Sequence, residues 1–332
     1  VTIRDTIEAN LDRVQSTAKA IAKLDVYCSL SYVAERNHFV RPKMNQKGII
    51  NIKGGRHPVV EKMIDNDMFI ANDTYLDNQK KRISIITGPN MAGKSALLRQ
   101  TALICLIAQI GCFVPVKSVK MGIVDKIFTR VGASDNISRG ESTFMVEMLE
   151  SATILNNLSE RSLILLDEIG RGTSTFDGMS IAWAIVEHLQ ERACHPKTLF
   201  ATHYHELNEL EEIYPRVHNY HISVKEVDGK IIFLRKLCKG GVAHSFGIHV
   251  ARLAGMPADL IDRAEKKLSQ LEEAENTSGG KASRAPKQNK ESQGIQLSLY
   301  QLDDPLLLEI KDELKKIDIN RMSPLDAFDE LR

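Results

Sequence analysis

From Arg82 to Ser95 an isoleucine-rich run is broken at Gly88 and ends in Gly93-Lys94-Ser95. One short segment therefore dictates a buried strand, a tight loop and a helix start, in that order. Glycines at Gly88 and Gly93 let the backbone curl so that successive N–H groups converge on an anion. The following helix aims its positive end at the same point. Lys94 is placed to neutralise phosphate oxygens, and Ser95 to offer a hydroxyl to a divalent cation. This is the grammar of a phosphate-binding loop, and it predicts an α/β fold.

A second run strengthens the reading. Ser162-Leu163-Ile164-Leu165-Leu166-Asp167-Glu168 is apolar until it ends in two carboxylates, as a buried parallel strand does. It comes after the loop with a helix, a strand and another helix between. Open α/β sheets gather their ligands at the carboxyl ends of such strands. Asp167 is expected to hold Mg²⁺ and Glu168 to orient or deprotonate an attacking water. Lys197 to His203 reads as a further strand, and its end beside a phosphate site gives His203 a phosphate-sensing role. Ser142 or Thr143 can cap the helix that starts there, and that helix start is also an anion site.

The 332 residues suffice for more than one domain, and 43% hydrophobic residues supply a core. A formal net charge of +1 argues neither for nor against nucleic acid. Five scattered cysteines without CxxC spacing favour reduced thiols in a cytosolic setting over a disulfide framework or zinc site. No membrane-spanning run or signal peptide is apparent. The first residue is Val, in keeping with a fragment of a longer chain.

Apolar positions from Ile3 to Leu24 predict a helix with a narrow seam, followed by a second helix from Val26 to Arg36. Residues 47 to 81 read as short strands and turns, with Arg56 and His57 as a structural pair. Lys94 to Gln109 predicts a buried helix ended by Gly111, with Gln109 as an ordinary boundary residue. Gly122 to Val131 reads as a strand, Gly132 to Glu141 as a loop, and Trp183 as core. Asp228-Gly229 between two strand-like runs signals a hairpin. Phe246 to Ala254 and Pro257 to Ala274 predict two helices of helix–turn–helix shape, suited to packing or dimerisation. Ser, Gly, Lys and Gln then mark a linker. Beyond it, Gln296-Leu297-Ser298-Leu299-Tyr300 is an isolated apolar peptide of docking type, and Pro305 to Arg332 form two short amphipathic helices.

Taken together, several motifs resemble the MutS family of DNA mismatch-repair proteins. They are Thr87 to Ser95, Ser142 to Met148, Asp167 to Thr175 with Asp177-Gly178, and Ala201 to Leu207. Gly55 to Val60, Ser245 to Pro257 and the tail around Asp318 to Pro324 fit the same family, and the tail points to its bacterial branch. The resemblance implies an ABC-type P-loop NTPase: a mainly parallel sheet flanked by helices, preceded by lever-arm helices and followed by a helix–turn–helix and a flexible tail. The implied parts are 1–46, the end of a lever domain; 47–245, the ATPase; 246–274, dimerisation; 275–293, linker; and 294–332, clamp-binding peptide and oligomerisation tail.

The resemblance also implies ATP and ADP as nucleotides, with Mg²⁺ on Ser95 and Asp167. Gly88, Pro89, Asn90, Met91, Ala92, Gly93, Lys94 and Ser95 would bind the phosphates, and Phe69 would stack on adenine. Glu168, Lys94 and His203 would act in their own subunit and Ser142 across a dimer. Gln296 to Tyr300 would dock on the replication sliding clamp. Implied partners are a second copy, a tetramer through the tail, a MutL-type repair factor, and DNA through domains absent from this sequence. The setting would be the bacterial cytosol and nucleoid. Two departures stand out: Ala92 replaces a glycine common in the loop, tolerable if its φ is negative, and Arg235 stands where relatives carry a His near the adenine. The rival readings are another ABC-type ATPase, or a clamp-docking and oligomerisation module with ATP as a structural ligand.

Overall fold

A computed structural model describes residues 2–64, 69–89, 92–131, 142–227, 230–241 and 246–278. Asn90, Met91, the loop 132–141, the hairpin turn 228–229, Ser245, the clamp-type peptide 296–300 and the tail lie outside the described residues. The chain divides into two units, Val1–Gln270 and Leu271–Arg332.

The first unit opens with α1 (Thr2–Ala9) and α2 (Leu11–Arg36). The expected break near Asp25 is absent and falls instead at Asn10. Asn10 turns its side-chain amide back to the Thr6 carbonyl at 2.9 Å, and its N–H bonds Ile7 in a tighter turn. Such local competition is why asparagine interrupts helices, whereas nothing around Asp25 competes with the backbone. Only Ala34 of α2 is buried, and the apolar seam from Ile3 to Leu24 is exposed. Arg56 ties the end of the arm down. Its guanidinium donates to the Asn37 and His38 carbonyls at 3.0 and 3.1 Å and pairs with Glu61 at 3.1 Å. The structural reading of Arg56 holds.

A four-stranded sheet comes next, built from β1 (Lys43–Asn45), β2 (Ile50–Gly55), β3 (Asn72–Leu76) and β5 (Ser118–Gly122), in the order β1-β5-β2-β3. A four-residue helix, α3 (Val60–Met63), lies between β2 and β3. The strand expected from Gly122 to Val131 does not begin at Gly122, which instead closes β5, a strand the sequence reading did not anticipate. β5 ends at Gly122 in this sheet, and β6 (Ile127–Val131) starts a new course in the larger one. At Gly122 a side chain would run into the Lys47 carbonyl at 1.9 Å, so the strand ends on a residue that lets two backbones touch.

The six-stranded sheet adds β4 (Ile83–Thr87), β7 (Leu163–Asp167), β8 (Lys197–Ala201), β9 (Val217–Val227) and β10 (Lys230–Lys239), in the order β10-β9-β4-β8-β7-β6. All pairings are parallel except the β9–β10 hairpin. β4, β7 and β8 are buried along their whole length, and alternate residues feed two cores. Ile86, Leu163, Leu165 and Leu199 join one, with Leu98, Ile104 and Cys105 of α4 (Lys94–Gln109) and with Ile50, Ile52 and Met121 of the small sheet. Ile83, Ile85, Ile164, Leu166 and Phe200 join the other, with Ala182, Val186 and Leu189 of α6 (Thr175–Glu191). Two-sided burial is why these strands read as unbroken apolar runs.

Helix ends obey local chemistry. α4 stops at Gly111, which has φ +92. Its N–H reaches the Ala108 carbonyl and that of Cys112 reaches Ile107, the paired bonds of a glycine C-cap. Gln109 Oε1 accepts the Val124 N–H at 2.5 Å, so this residue has a structural task. The carboxyl end of α6 is capped by a fully buried arginine. Arg82 donates to the carbonyls of Leu189, Gln190 and Arg192, and burial pushes its pKa down to about 10. Trp183 is half-buried against the second core. α5 (Thr143–Asn156) precedes β7. After β8 come a short 3-10 turn and α7 (Leu210–Ile213), and after the hairpin α8 (Gly247–Leu253) and α9 (Ala258–Ser278). α9 runs on to Ser278, into the stretch whose composition suggests linker. Among the described residues no helix is long and apolar enough to cross a membrane.

Candidate functional site

The parallel register sets the site. Ile86 of β4 and Asp167 of β7 both pair with Ala201 of β8, so the ends of three adjacent strands form one row. From that row emerge the Gly88–Gly93 loop, Asp167-Glu168 and His203. Gly88 and Gly93 hold φ +139 and +101, and nothing lies within 4 Å of a side chain built on Gly93. Conformation, not space, requires glycine there. Ala92 is buried in the loop.

Lys94 is buried and folds back over the loop, donating to the carbonyls of Gly88 at 2.6 Å and Pro89 at 3.2 Å. Its Nζ is 4.0 Å from Glu168 Oε1. Burial pushes its pKa down, against the pull of Glu168 and Asp167. Asp167 is buried too. Desolvation raises its pKa and the Glu168 charge adds to this, while a hydrogen bond from Ser95 opposes it. One Asp167 oxygen, Oδ1, is buried without a hydrogen-bond partner. An orphaned carboxylate oxygen beside a serine hydroxyl suits a hard cation. No cluster of three or more His, Cys, Asp or Glu exists among the described residues to form an all-protein cage. That donor set fits Mg²⁺, which takes one or two protein oxygens and completes its shell with water and phosphate.

Glu168 has φ +54, rare for a non-glycine residue. Its N–H donates to the Ala201 carbonyl at 2.9 Å, and its carboxylate pairs with Arg171. His203 is exposed on one side and its ring centroid lies 4.3 Å from that of Tyr204. Partial burial lowers its pKa, opposed by Glu168 and assisted by Arg171 and Lys94. His57 serves structure: its Nδ1 accepts the N–H groups of Val59 and Val60 at 3.3 and 3.2 Å.

Beside the loop lies a cleft of about 300 Å³ whose walls include Phe69, Asn72, Ala92, Gly93, Gln100 and Arg235. Phe69 is thus brought to the loop. Arg235 occupies the bulge of β10 with φ +52. Asn72 holds that bulge from both sides, donating to the Arg235 carbonyl at 2.9 Å and accepting the Leu237 N–H at 2.8 Å. Ser142 is the N-cap residue of α5, with φ −60 and ψ 134 and without a side-chain cap bond. Sequence reading missed Arg171, Asn72, Glu147 and Tyr204 as site neighbours. Arg171, Glu147 and Tyr204 lie within the motifs Asp167 to Thr175, Ser142 to Met148 and Ala201 to Leu207 and were open to notice; Asn72 meets the site only through the fold.

Fold and site define an α/β domain that carries a glycine-framed, lysine-bearing loop and an acidic pair at one carboxyl edge of its parallel strands. The family model for MutS domain V matches residues 84–272, more than half of the sequence. The chain belongs to the MutS family. It is 59% identical over 322 residues to the DNA mismatch repair protein MutS of Flavobacterium psychrophilum. It is 58% identical over 324 residues to that of Parabacteroides distasonis, and 56% over 326 residues to that of Bacteroides thetaiotaomicron. These alignments cover 96%, 96% and 97% of this chain but 36%, 37% and 38% of the relatives, so it spans little more than a third of their length.

Proposed function

We propose that this chain binds Mg-ATP and hydrolyses it to ADP and phosphate, as the C-terminal ATPase and dimerisation part of a bacterial DNA mismatch-repair protein of ABC type. The observation that carries the reading is the convergence of Lys94, the Ser95–Asp167 pair and Glu168 at the end of one strand row. Lys94 would exchange the loop carbonyls of Gly88 and Pro89 for phosphate oxygens, a charge-assisted gain. Ser95 and Asp167 would hold Mg²⁺, which when bound neutralises charge on the phosphates. Glu168 would take the proton of the attacking water, and His203 would sense the terminal phosphate. Phe69 would stack on the base in the cleft, with the guanidinium of Arg235 near it.

Ser142, at the start of α5, would serve the nucleotide of a second copy. α8 and α9 would contribute to the dimer. DNA would be met through other domains, and the sliding clamp and a MutL-type factor would be downstream partners in the cytosol. Mg²⁺-dependent ATP turnover tests the reading. Glu168→Ala is expected to lower kcat by about a hundredfold or more while nucleotide still binds. Turnover equal to the parent's would remove Glu168 from this role. Tight nucleotide binding with no turnover in the parent would instead favour ATP as a structural ligand.

A further inference from the structure

Gly170 lies two residues beyond Glu168, and its two peptide groups are gripped by different elements. Its N–H donates to Glu147 Oε1 at 2.6 Å, and its carbonyl accepts from the Tyr204 hydroxyl at 3.0 Å. Both bonds are buried. Glu147 comes from α5, one turn after Ser142, and Tyr204 from the segment after β8. The second Glu147 oxygen meets the buried Arg130 of β6 at 3.1 Å.

The turn has little freedom of its own. Gly170 has φ +88, and a side chain there would lie 2.4 Å from the Gly178 carbonyl oxygen. Glu168, two residues earlier, is held at φ +54. A residue in that region stays there only where its surroundings over-determine it. The backbone tie from Glu168 to Ala201 fixes one end of the strained turn. The grip on Gly170 fixes the other.

We propose that Glu147 is a positioning residue for Glu168: by accepting the Gly170 N–H it holds the strained turn that aims the Glu168 carboxylate across the phosphate loop. The proposal rests on the reading of Glu168 as the group that activates water. The rival is that Glu147 only neutralises Arg130. The two differ in what a shape-preserving amide does. In Glu147→Gln one end of the side chain must face a peptide N–H and the other a guanidinium, so its NH₂ group meets a donor whichever way it turns. Adding Arg130→Met removes the conflict and frees the amide oxygen for Gly170.

The test uses the full chain and two readouts, steady-state ATP hydrolysis and amide hydrogen exchange of the peptide that spans Gly170. In Glu147→Gln, kcat should fall roughly tenfold or more while KM stays within about threefold, because geometry and not binding is lost. Exchange at Gly170 should quicken by about tenfold as its acceptor weakens. Glu147→Gln with Arg130→Met should recover kcat to within about threefold and slow the exchange again. Tyr204→Phe, which removes only the hydroxyl, should shift both readouts in the same direction. Unchanged exchange in Glu147→Gln overturns the proposal, as does faster exchange with parental kcat, or a double variant that recovers neither. A parent chain without turnover overturns the hydrolysis reading and the proposal with it; every other failure falls on Glu147 alone.

Discussion

Lys94 is a cation with almost no water around it, kept by two loop carbonyls and by carboxylates one layer away. Its burial makes it a strong partner for any anion that can replace those carbonyls, since the desolvation cost is already met on folding. His57 shows the opposite use of a titratable group. It is buried and must stay neutral at Nδ1 to accept two backbone N–H groups. Burial and then the Arg99 charge lower its pKa. The unfolded chain therefore binds the proton more readily, so stability falls as pH drops below about 6.5 and the loss is complete below the folded-state value. His57→Asn keeps an acceptor for the same turn without the titration. Urea unfolding between pH 5 and 7.5 should show a smaller slope for this variant, by at most about 1.4 kcal/mol per pH unit. Identical slopes would assign the pH dependence to other groups, of which His195 and His203 are also lowered.

The elements differ in how much of them is written locally. α4 matches its expected bounds because both ends carry signals: Gly93 before it and the glycine cap at Gly111 after it. β7, β8 and the β9–β10 hairpin are equally legible, from continuous apolar runs and an Asp-Gly turn. β5 was not, because only Val119, Met121 and Gly122 are buried in it and the pattern is too short to separate from the run that leads into β6. Its place between β1 and β2 is decided by partners 65 to 77 residues earlier in the chain. The same holds for the cleft. Loop glycines, Lys94 and Asp167 could be read from the sequence, but Asn72 and Arg235 meet across 163 residues. Asn72→Ala would leave the buried bonds to Arg235 and Leu237 unmade. It should cost about 1–3 kcal/mol in urea unfolding and weaken nucleotide binding at the cleft. A loss under about 0.5 kcal/mol would mean that the bulge holds without its clasp.

At the scale of the whole molecule, a well-packed core carries one sheet edge dense in chemistry and an arm that buries almost nothing of its own. The apolar seam of α1 and α2 is exposed from Ile3 to Leu24 and is not docked on the sheets. The site itself is incomplete in one copy on the proposed reading, in which Ser142 serves the nucleotide of a second copy. Through Glu147, α5 joins the Ser142 end to the Gly170 turn, so on that reading the donor to one site would be tied to the base of another. Complementation tests this sharing directly. Glu168→Ala and Ser142→Ala chains, each nearly inactive alone, are allowed to exchange subunits in equal amounts and assayed for Mg²⁺-dependent ATP turnover. Half of the dimers then pair one of each, with one intact site of two, and about a quarter of the parental rate should return. A mixture no faster than the average of the two variants would contradict the shared site.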